Sequence, residues 1–335
     1  MLFLENKPTK SSVSVLGIPI DIGKDNVGTD EGPDHLRKGG LKEMFNHIGI
    51  KFQDLGNVPC PTRELSQMGD KNVKYLKEIV QVAKETAAIV KTEVEKGNKV
   101  VALGGDHSLS LGTISGASAA CSQDIGVIYI DAHGDMMTHE NTISGNVHGM
   151  PTSALMGFGH PELTNILNSK VKVKPENFVF IGLKDLDQGE IDLIRKEKIN
   201  AVTIMDIMQS GLGLAFEKIK ALQSRVKNIW VSLDLDSIDS EFAPATPIIN
   251  LGGLSYREIV NLSKYIGKVC NVVGMDVVEL FPRQDREEKT TKLAISLVAH
   301  LLGAEYSWYT QYMDHEAKKQ EARSHMISID EQIKS

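Results

Sequence analysis

Two short acidic segments, each directly after an apolar run, contain the residues best suited to chemistry. Residues 131–135 read Asp-Ala-His-Gly-Asp, and residues 234–236 read Asp-Leu-Asp. Side chains two apart on a strand point the same way. We therefore expect the ionisable groups of each segment to converge. These groups are Asp131, His133 and Asp135 in the first segment and Asp234 and Asp236 in the second.

A third strand end, residues 104–108 (Gly-Gly-Asp-His-Ser), adds His107. Like charges oppose each other's ionisation, so four carboxylates gather only where cations neutralise them. A pair of divalent metal ions would do so, with His107 and His133 as nitrogen ligands, and this predicts a dinuclear metallohydrolase. Any one segment alone could instead be a strand end with a turn-forming Asp, which is our interpretation of Asp239. Asp106 is either such a turn former or a partner of a ligand.

Apolar runs rich in β-branched residues supply the strands that would end at these segments. Continuous runs of this kind are typical of parallel strands that are covered on both faces. The runs cover residues 12–20, 99–103, 126–131, 177–183, 201–204, 228–233 and 272–278. Helical patterns lie between them, at residues 34–46, 72–96, 189–198, 215–224, 256–266 and 289–302. The alternation predicts a single α/β domain with a mostly parallel β-sheet flanked by helices.

The domain is predicted to cover residues 1–310, and residues 311–335 are interpreted as a polar tail or a surface helix. The helix at 72–96 has the clearest pattern, with Asn72 as the expected N-cap and Gly97 as the expected stop. Each polar segment follows a strand, and ligands of open α/β sheets bind beyond the carboxyl ends of the strands. We therefore expect the three segments to meet in one crevice.

Composition narrows the possible partners and compartments. The 335 residues are 24% charged with a net charge of −7, and no basic stripe suggests a nucleic-acid or anionic-membrane partner. The cysteines Cys60, Cys121 and Cys270 are far apart and odd in number, which indicates reduced thiols in the cytoplasm. Residues 1–10 lack the apolar stretch of a signal peptide. No run approaches the roughly 20 apolar residues of a membrane span.

The order of four motifs resembles the ureohydrolase superfamily. They are residues 104–108, residues 131–135, residues 144–151 (Ser-Gly-Asn-Val-His-Gly-Met-Pro) and residues 232–236 (Ser-Leu-Asp-Leu-Asp). Within the superfamily, residues 144–151 look most like arginase, and the resemblance runs from about residue 13 to about residue 304. It implies an arginase-like three-layer fold, two Mn²⁺ ions per subunit, a small guanidino substrate, and a homo-oligomer, either a trimer or a hexamer.

The resemblance also implies the ligands of each ion. One ion would be held by His107, Asp131, Asp135 and Asp234. The other would be held by Asp131, His133, Asp234 and Asp236. Oxygen-rich sites with some imidazole suit Mn²⁺, although Fe, Co or Ni are compatible with the same ligand types. Zn²⁺ usually has fewer ligands that are richer in nitrogen or sulfur.

The implied reaction is hydrolysis of L-arginine to L-ornithine and urea. Water between two dications loses a proton readily, and the hydroxide would attack the guanidinium carbon. His148 matches the family's proton shuttle, and its ordinary pKa of about 6.5 suits that task. Glu279 matches the carboxylate that orients the guanidinium through a bidentate pair. Asp135 is predicted to be a catalytic residue as well as a metal ligand.

Further residues match the part of the family site that binds the amino-acid end of the substrate. Asp187 matches the residue that reads the α-amino group, and it is also an expected helix N-cap. The loop around the α-carboxylate is matched by Thr142, Ser144 and Asn146. Thr246 lies in a loop that flanks the guanidinium pocket, although the loop is shortened here to residues 245–247 (Ala-Thr-Pro).

Two departures from the pattern keep other functions open. Met137 stands where arginases place an Asn that binds the carboxylate, and a thioether cannot donate that hydrogen bond. The usual Asp-Pro is replaced by Asp239-Ser240. The alternatives are another ureohydrolase (agmatinase, guanidinobutyrase or formimidoylglutamase), an inactive metal-binding regulatory paralogue, or a deacetylase with a single zinc ion on a similar fold.

Overall fold

Eight parallel strands form one sheet in the computed structural model, which describes residues 10–304. The strands are β1 (Val13–Ile18), β2 (Phe52–Asn57), β3 (Lys99–Gly104), β4 (Ile125–Ile130), β5 (Phe178–Leu183), β6 (Asn200–Thr203), β7 (Asn228–Asp234) and β8 (Val272–Val278). Their order in the sheet is β2-β1-β3-β8-β7-β4-β5-β6, with every pairing parallel. The predicted parallel sheet is therefore confirmed.

The sequence missed strand β2, which lies at one edge of the sheet. Most of its side chains are exposed or half-buried. An edge strand that faces solvent needs no continuous apolar run, and its residues 52–57 (Phe-Gln-Asp-Leu-Gly-Asn) do not form one. The other seven strands coincide with the seven predicted runs to within two residues at each end.

Eleven helices lie among the described residues. They are α1 (Gly32–Leu36), α2 (Lys42–His47), α3 (Leu76–Glu95), α4 (Ser110–Ala120), α5 (Pro151–Leu155), α6 (Pro161–Thr164), α7 (Gln188–Glu197), α8 (Ile204–Ser210), α9 (Gly213–Gln223), α10 (Tyr256–Val269) and α11 (Lys289–Leu301). A π-helical segment, Arg37–Leu41, joins α1 to α2, and Gly40 within it has a left-handed φ of 109°. The predicted helix over 34–46 is thus divided between these elements.

Helix α3 begins later than predicted. Its N-cap is Tyr75, with a left-handed φ of 54°, and not Asn72. The reason is that the backbone before the helix is engaged elsewhere, since the Lys74 N–H donates to the Gly145 carbonyl at 2.9 Å. The helix ends as expected, with Lys96 as the C-cap and Gly97 at a φ of 81°.

Helix α4 was missed because it is buried along most of its length and has no amphipathic stripe. Its glycines let it pack closely on α3. A Cβ at Gly112 would lie 2.7 Å from the Ala83 carbonyl oxygen, and one at Gly116 would lie 2.5 Å from that of Ala87. A side chain at either position would therefore force the two helices apart.

The helices cover both faces of the sheet, which gives three layers. Strand β3 shows the division, because Val101 and Leu103 point into one apolar core while Val100 and Ala102 point into the other. The first core contains the apolar residues of α1, α2 and α8–α11, and the second contains those of α3–α7. Among residues 10–304, no helix is both long and apolar enough to cross a membrane. Residues 311–335 lie outside the described part of the chain.

Candidate metal centre and catalytic cleft

The carboxyl ends of four neighbouring strands, β3, β8, β7 and β4, bring the predicted segments together. His107 follows β3, Asp131 follows β4, Asp234 ends β7, and Glu279 follows β8. The crevice expected from the three polar segments is thus present at one edge of the sheet. Glu279, which was assigned only by resemblance, joins them because β8 lies between β3 and β7.

The acidic segments converge through turns and not through the pleat of a strand. Strand β4 ends at Ile130, before the first acidic segment begins, and Asp135 has a left-handed φ of 51°. The Oδ1 atom of Asp131 accepts the His133 N–H at 2.7 Å, and Oδ1 of Asp234 accepts the Asp236 N–H at 2.7 Å. The prediction that strand alternation aligns these side chains was therefore wrong. In each segment the first carboxylate accepts the backbone N–H two residues later and so forms a turn.

The first cluster surrounds the imidazole of His107. Its Nδ1 lies 3.0 Å from Oδ2 of Asp131, and 3.1 Å from Oδ2 of both Asp135 and Asp234. All four residues are buried. Although it faces three carboxylate oxygens, His107 Nδ1 makes a well-directed hydrogen bond with no group in residues 10–304, and neither does Asp131 Oδ2.

The second cluster surrounds His133, which is partly exposed. Its Nδ1 lies 3.3 Å from Oδ1 of Asp131 and 3.3 Å from Oδ2 of Asp236. Asp131 therefore presents one carboxylate oxygen to each cluster. The other oxygen of Asp236 is buried and has no hydrogen-bond partner within the described chain.

Both clusters fit a divalent metal ion. His107, Asp131 and Asp135 offer ligand atoms within 4.8 Å of one another, as do Asp131, His133 and Asp236, so Asp131 belongs to both groups. Buried polar atoms ordinarily have hydrogen-bond partners, so the orphaned atoms of His107, Asp131 and Asp236 need another explanation. Coordination of a cation provides one, because it satisfies a nitrogen and several oxygens that converge on one point. The oxygen-rich donor set suits Mn²⁺.

Several pKa shifts describe the crowding in these clusters before a cation neutralises it. Burial, and then the charges of Asp236 and Asp131, raise the pKa of Asp234 well above its ordinary value. Burial lowers the pKa of the His107 imidazole, but the surrounding carboxylates outweigh this effect and raise it well above its ordinary value. Crowding therefore makes these two groups bind protons more tightly than isolated side chains do.

Metal binding should consequently release protons. Coordination requires neutral imidazole and ionised carboxylate, whereas the raised pKa values favour the protonated forms of His107 and Asp234. We expect the affinity for Mn²⁺ to rise with pH, because fewer protons then have to be displaced. Calorimetric titration at one pH in buffers of different ionisation enthalpy measures this release. Equal apparent enthalpies in all buffers would contradict the expectation.

Two groups that the sequence analysis did not identify position His107. The ring of Tyr129 stacks on the imidazole with centroids 4.6 Å apart, and its hydroxyl donates to Oδ2 of Asp135 at 2.6 Å. On the other side, His107 Nε2 lies 2.8 Å from the hydroxyl of Ser232, which donates to the buried Asp276. Polar or aromatic residues inside the aliphatic runs of β4, β7 and β8 were the available signal.

The carboxylate of Asp276 is itself held by three donors. The Trp230 indole N–H donates to Oδ2 at 2.7 Å, the Thr113 hydroxyl donates to the same atom at 2.8 Å, and Ser232 donates to Oδ1. Burial raises the pKa of Asp276 despite these donors. The hydrogen-bond chain from Asp276 through Ser232 to His107 fixes the orientation of the ring, as outer partners of metal-binding histidines do.

A cleft of about 760 Å³ opens above the two clusters. The predicted site residues that line it are His133, Asp135, Thr142, Ser144, Asn146, His148, Asp187, Asp234, Asp236 and Glu279. Met137 also lines it. Thr246 is buried, its hydroxyl donates to the Ile248 carbonyl at 2.8 Å, and it is not part of the lining formed by the described residues.

Glu279 and His148 lie next to each other in the cleft. Nδ1 of His148 is 3.8 Å from Oε1 of Glu279, and the same oxygen accepts the His107 backbone N–H at 3.0 Å. Burial lowers the pKa of the His148 imidazole, but the Glu279 carboxylate outweighs this effect and raises it. The shift favours the protonated form of this ring, which lines the cleft.

The polar loops of the cleft are held by short-range contacts. Asp187 is the N-cap of α7, and Glu190 accepts the Asp187 N–H at 2.9 Å, so the expected capping role is confirmed. Burial raises the pKa of Glu190 to about 7. On the opposite wall, Thr142 accepts the Gly145 N–H at 3.0 Å and Ser144 accepts the Asn146 N–H at 3.2 Å.

The two open roles of Asp106 are resolved by its contacts. Its Oδ1 accepts the Ser108 N–H at 2.9 Å and its Oδ2 accepts the Gly23 N–H at 2.7 Å. Asp106 is therefore a turn former that also fixes the loop after β1. Asp239 is a turn residue as expected, since it accepts the N–H groups of Glu241 and Gly252.

Comparisons with known proteins agree with this geometry. The family model named Arginase family matches residues 11–303. A curated arginase of Bacillus caldovelox is 37% identical over 295 residues, which cover 87% of this chain and 98% of that protein.

Solved structures give the same result. The arginase from Bacillus caldovelox has a TM-score of 0.85 at 35% identity and covers 88% of this chain and 99% of its own. The arginase from Bacillus cereus has a TM-score of 0.83 at 34% identity and covers 89% of this chain and 100% of its own. The protein therefore belongs to the arginase family and is a ureohydrolase that acts on a guanidino carbon–nitrogen bond.

Proposed function

We propose that this enzyme hydrolyses L-arginine to L-ornithine and urea with two Mn²⁺ ions per subunit. The observation that carries the proposal is the pair of clusters that share Asp131 below a cleft with Glu279 and His148 in its wall. A bound metal pair supplies a strongly acidified water and neutralises the carboxylates of the site. The ligands would be those expected from the family resemblance, namely His107, Asp131, Asp135 and Asp234 for one ion and Asp131, His133, Asp234 and Asp236 for the other.

The side chains of the cleft would bind and orient the substrate. The Glu279 carboxylate would pair with the planar guanidinium and fix the orientation of its carbon. Asp187 would accept a hydrogen bond from the α-amino group. The hydroxyls of Thr142 and Ser144 and the amide of Asn146 would surround the α-carboxylate. Thr246 keeps its predicted role only through the loop that it supports, because its hydroxyl is bonded to Ile248.

His148 would move the proton that the reaction requires. Cleavage of the carbon–nitrogen bond makes a free amine, which leaves readily only if a proton reaches its nitrogen. Burial lowers the pKa of His148, but the Glu279 carboxylate outweighs this effect and raises it, which favours the protonated ring. The side chain of His148 is 27% exposed, so its ring can exchange protons with water between turnovers.

The observation that favours a second candidate, an agmatinase, is Met137. Its side chain lines the cleft near the loop that would hold the α-carboxylate, and a thioether donates no hydrogen bond. Agmatine has no carboxylate to anchor, so it loses nothing at this position. Thr142, Ser144 and Asn146 are the polar groups that still distinguish arginine from agmatine.

A panel of guanidino compounds, assayed with added Mn²⁺ for urea release, tests the proposal. We expect kcat/KM to be roughly tenfold to a hundredfold higher for arginine than for agmatine, because hydrogen bonds to a charged group contribute about 1.5–3 kcal/mol. A higher value for agmatine or guanidinobutyrate would transfer the assignment to that substrate. If no compound released urea, the proposed substrate and reaction would both be rejected, and a single bound metal ion by elemental analysis would reject the proposed metal pair.

A further inference from the structure

A buried lysine forms an ion pair with the carboxylate that is proposed to orient the substrate. Lys24 Nζ donates to Oε2 of Glu279, and the two side chains are only 4% and 5% exposed. The other oxygen of Glu279 accepts the His107 backbone N–H at 3.0 Å and faces His148. Both oxygens of the carboxylate are therefore already engaged by groups of the protein.

The loop that carries Lys24 is firmly held in place. The Gly23 N–H donates to Asp106 at 2.7 Å, and the Gly23 carbonyl accepts the His148 N–H at 3.0 Å. The Arg63 guanidinium donates to the carbonyl of Lys24 at 2.5 Å and to that of Asp21 at 2.8 Å. With the backbone fixed from both sides, the ammonium can leave Glu279 only by rotation of its own flexible stem.

The pairing has an electrostatic consequence for a cationic substrate. Burial opposes ionisation of Glu279, but the Lys24 ammonium and His148 hold the pKa of this carboxyl below its usual range. The charge of Glu279 is thus balanced before any substrate arrives. A guanidinium that entered with Lys24 in place would meet a neutralised carboxylate and a like charge.

We propose that Lys24 competes with the substrate guanidinium for Glu279 and so sets the affinity of the enzyme for its cationic substrate. This inference rests on the proposed function, because that function assigns the guanidinium to Glu279. The ammonium is a point charge, whereas a guanidinium can bind both carboxylate oxygens along one edge. A substrate with a guanidinium can displace Lys24 by this two-point contact, whereas one with a simple amine gains little over the resident ammonium.

Lys24→Met tests the competition directly, because it removes the charge and keeps a flexible apolar stem. We expect the Kd of methylguanidinium for the Mn²⁺-loaded enzyme to fall about tenfold, which corresponds to about 1.4 kcal/mol. The KM for arginine should fall by a similar factor, and kcat should change less than KM. Methylammonium should gain affinity by a similar factor, because either ligand must displace the same Lys24 ammonium.

Lys184→Met is the matched control. Lys184 also lines the cleft, but its ammonium donates to Asn250 at 2.8 Å and lies 3.6 Å from Asp185. Its replacement removes the same charge from the same cleft without touching Glu279. We expect its effect on methylguanidinium affinity to be less than a third of that of Lys24→Met, and to disappear at high salt.

The proposed competition is rejected if Lys24→Met binds methylguanidinium no more tightly than Lys184→Met does. Should Lys24→Met fail to fold, Lys24→Gln keeps a neutral donor to Glu279 and carries the same expectation. A crystal structure of the unaltered enzyme with methylguanidinium gives a further test, because Lys24 must then be found away from Glu279. A third outcome separates the two proposals. If Lys24→Met binds guanidinium more tightly but the unaltered enzyme releases urea from no compound, the proposed function is rejected and this inference stands.

Discussion

Replacing Asp234 with Asn will abolish metal binding and urea release together. The substitution keeps the size of the side chain, and the remaining carbonyl oxygen can still accept the Asp236 N–H. It replaces Oδ2, which lies 3.1 Å from His107 Nδ1, with an NH₂ group that cannot coordinate a cation. Loss of several kcal/mol of metal-dependent stabilisation lowers kcat by about a thousandfold or more.

Asp239→Asn is the matched control for this experiment. Asp239 lies on the same segment, but its oxygens accept the N–H groups of Glu241 and Gly252, and it belongs to neither cluster of the described residues. We expect this variant to bind two ions per subunit by elemental analysis. If Asp234→Asn also bound two ions and released urea at the normal rate, the proposed metal centre would be incorrect.

Replacing His148 with Ala should remove the proton donor and leave the metal centre loaded. The nearest titratable partner of its Nδ1 is Glu279, at 3.8 Å, and His148 belongs to neither metal cluster of the described residues. Positioned general acids contribute roughly 10²–10⁴-fold to rate, so kcat should fall by about that factor. KM for arginine should change much less, since the proposed guanidinium contacts would be made by Glu279.

Added imidazole should partly restore kcat in His148→Ala. The native ring is partly exposed at the cleft wall, so a small molecule can reach the space that the substitution leaves. Rescue should increase with the fraction of protonated imidazole, which distinguishes proton donation from a purely structural effect. A variant that keeps its full kcat with two bound ions would show that another group donates the proton.

Much of the sheet could be predicted because parallel strands that are covered on both faces require continuous apolar runs. Strand β2 has one exposed side and no such run, and helix α4 is buried among small residues without a polar face. Neither element leaves a periodic pattern. The start of α3 was predicted at the wrong residue because a tertiary contact, Lys74 to Gly145, determines it.

The convergence of the His107 and His133 clusters was predictable because their residue types are costly to bury together without a cation. The positions of Tyr129, Ser232 and Asp276 were not, because their roles depend on contacts between strands. The pairing of Lys24 with Glu279 joins residues 255 positions apart, and no local pattern indicates it. The trimeric or hexameric assembly and the cytoplasmic location stay predictions.

The two histidine clusters differ in their access to solvent, and this has a consequence for how the enzyme is handled. His107 is 1% exposed behind Asp131, whereas the side chain of His133 is 26% exposed in the cleft wall. If the proposed metal pair is bound, a chelator in solution would reach the ion beside His133 first, because the cluster around His107 is buried. Purification in the presence of such a reagent would therefore yield a half-loaded, dormant population that regains turnover once manganese is returned.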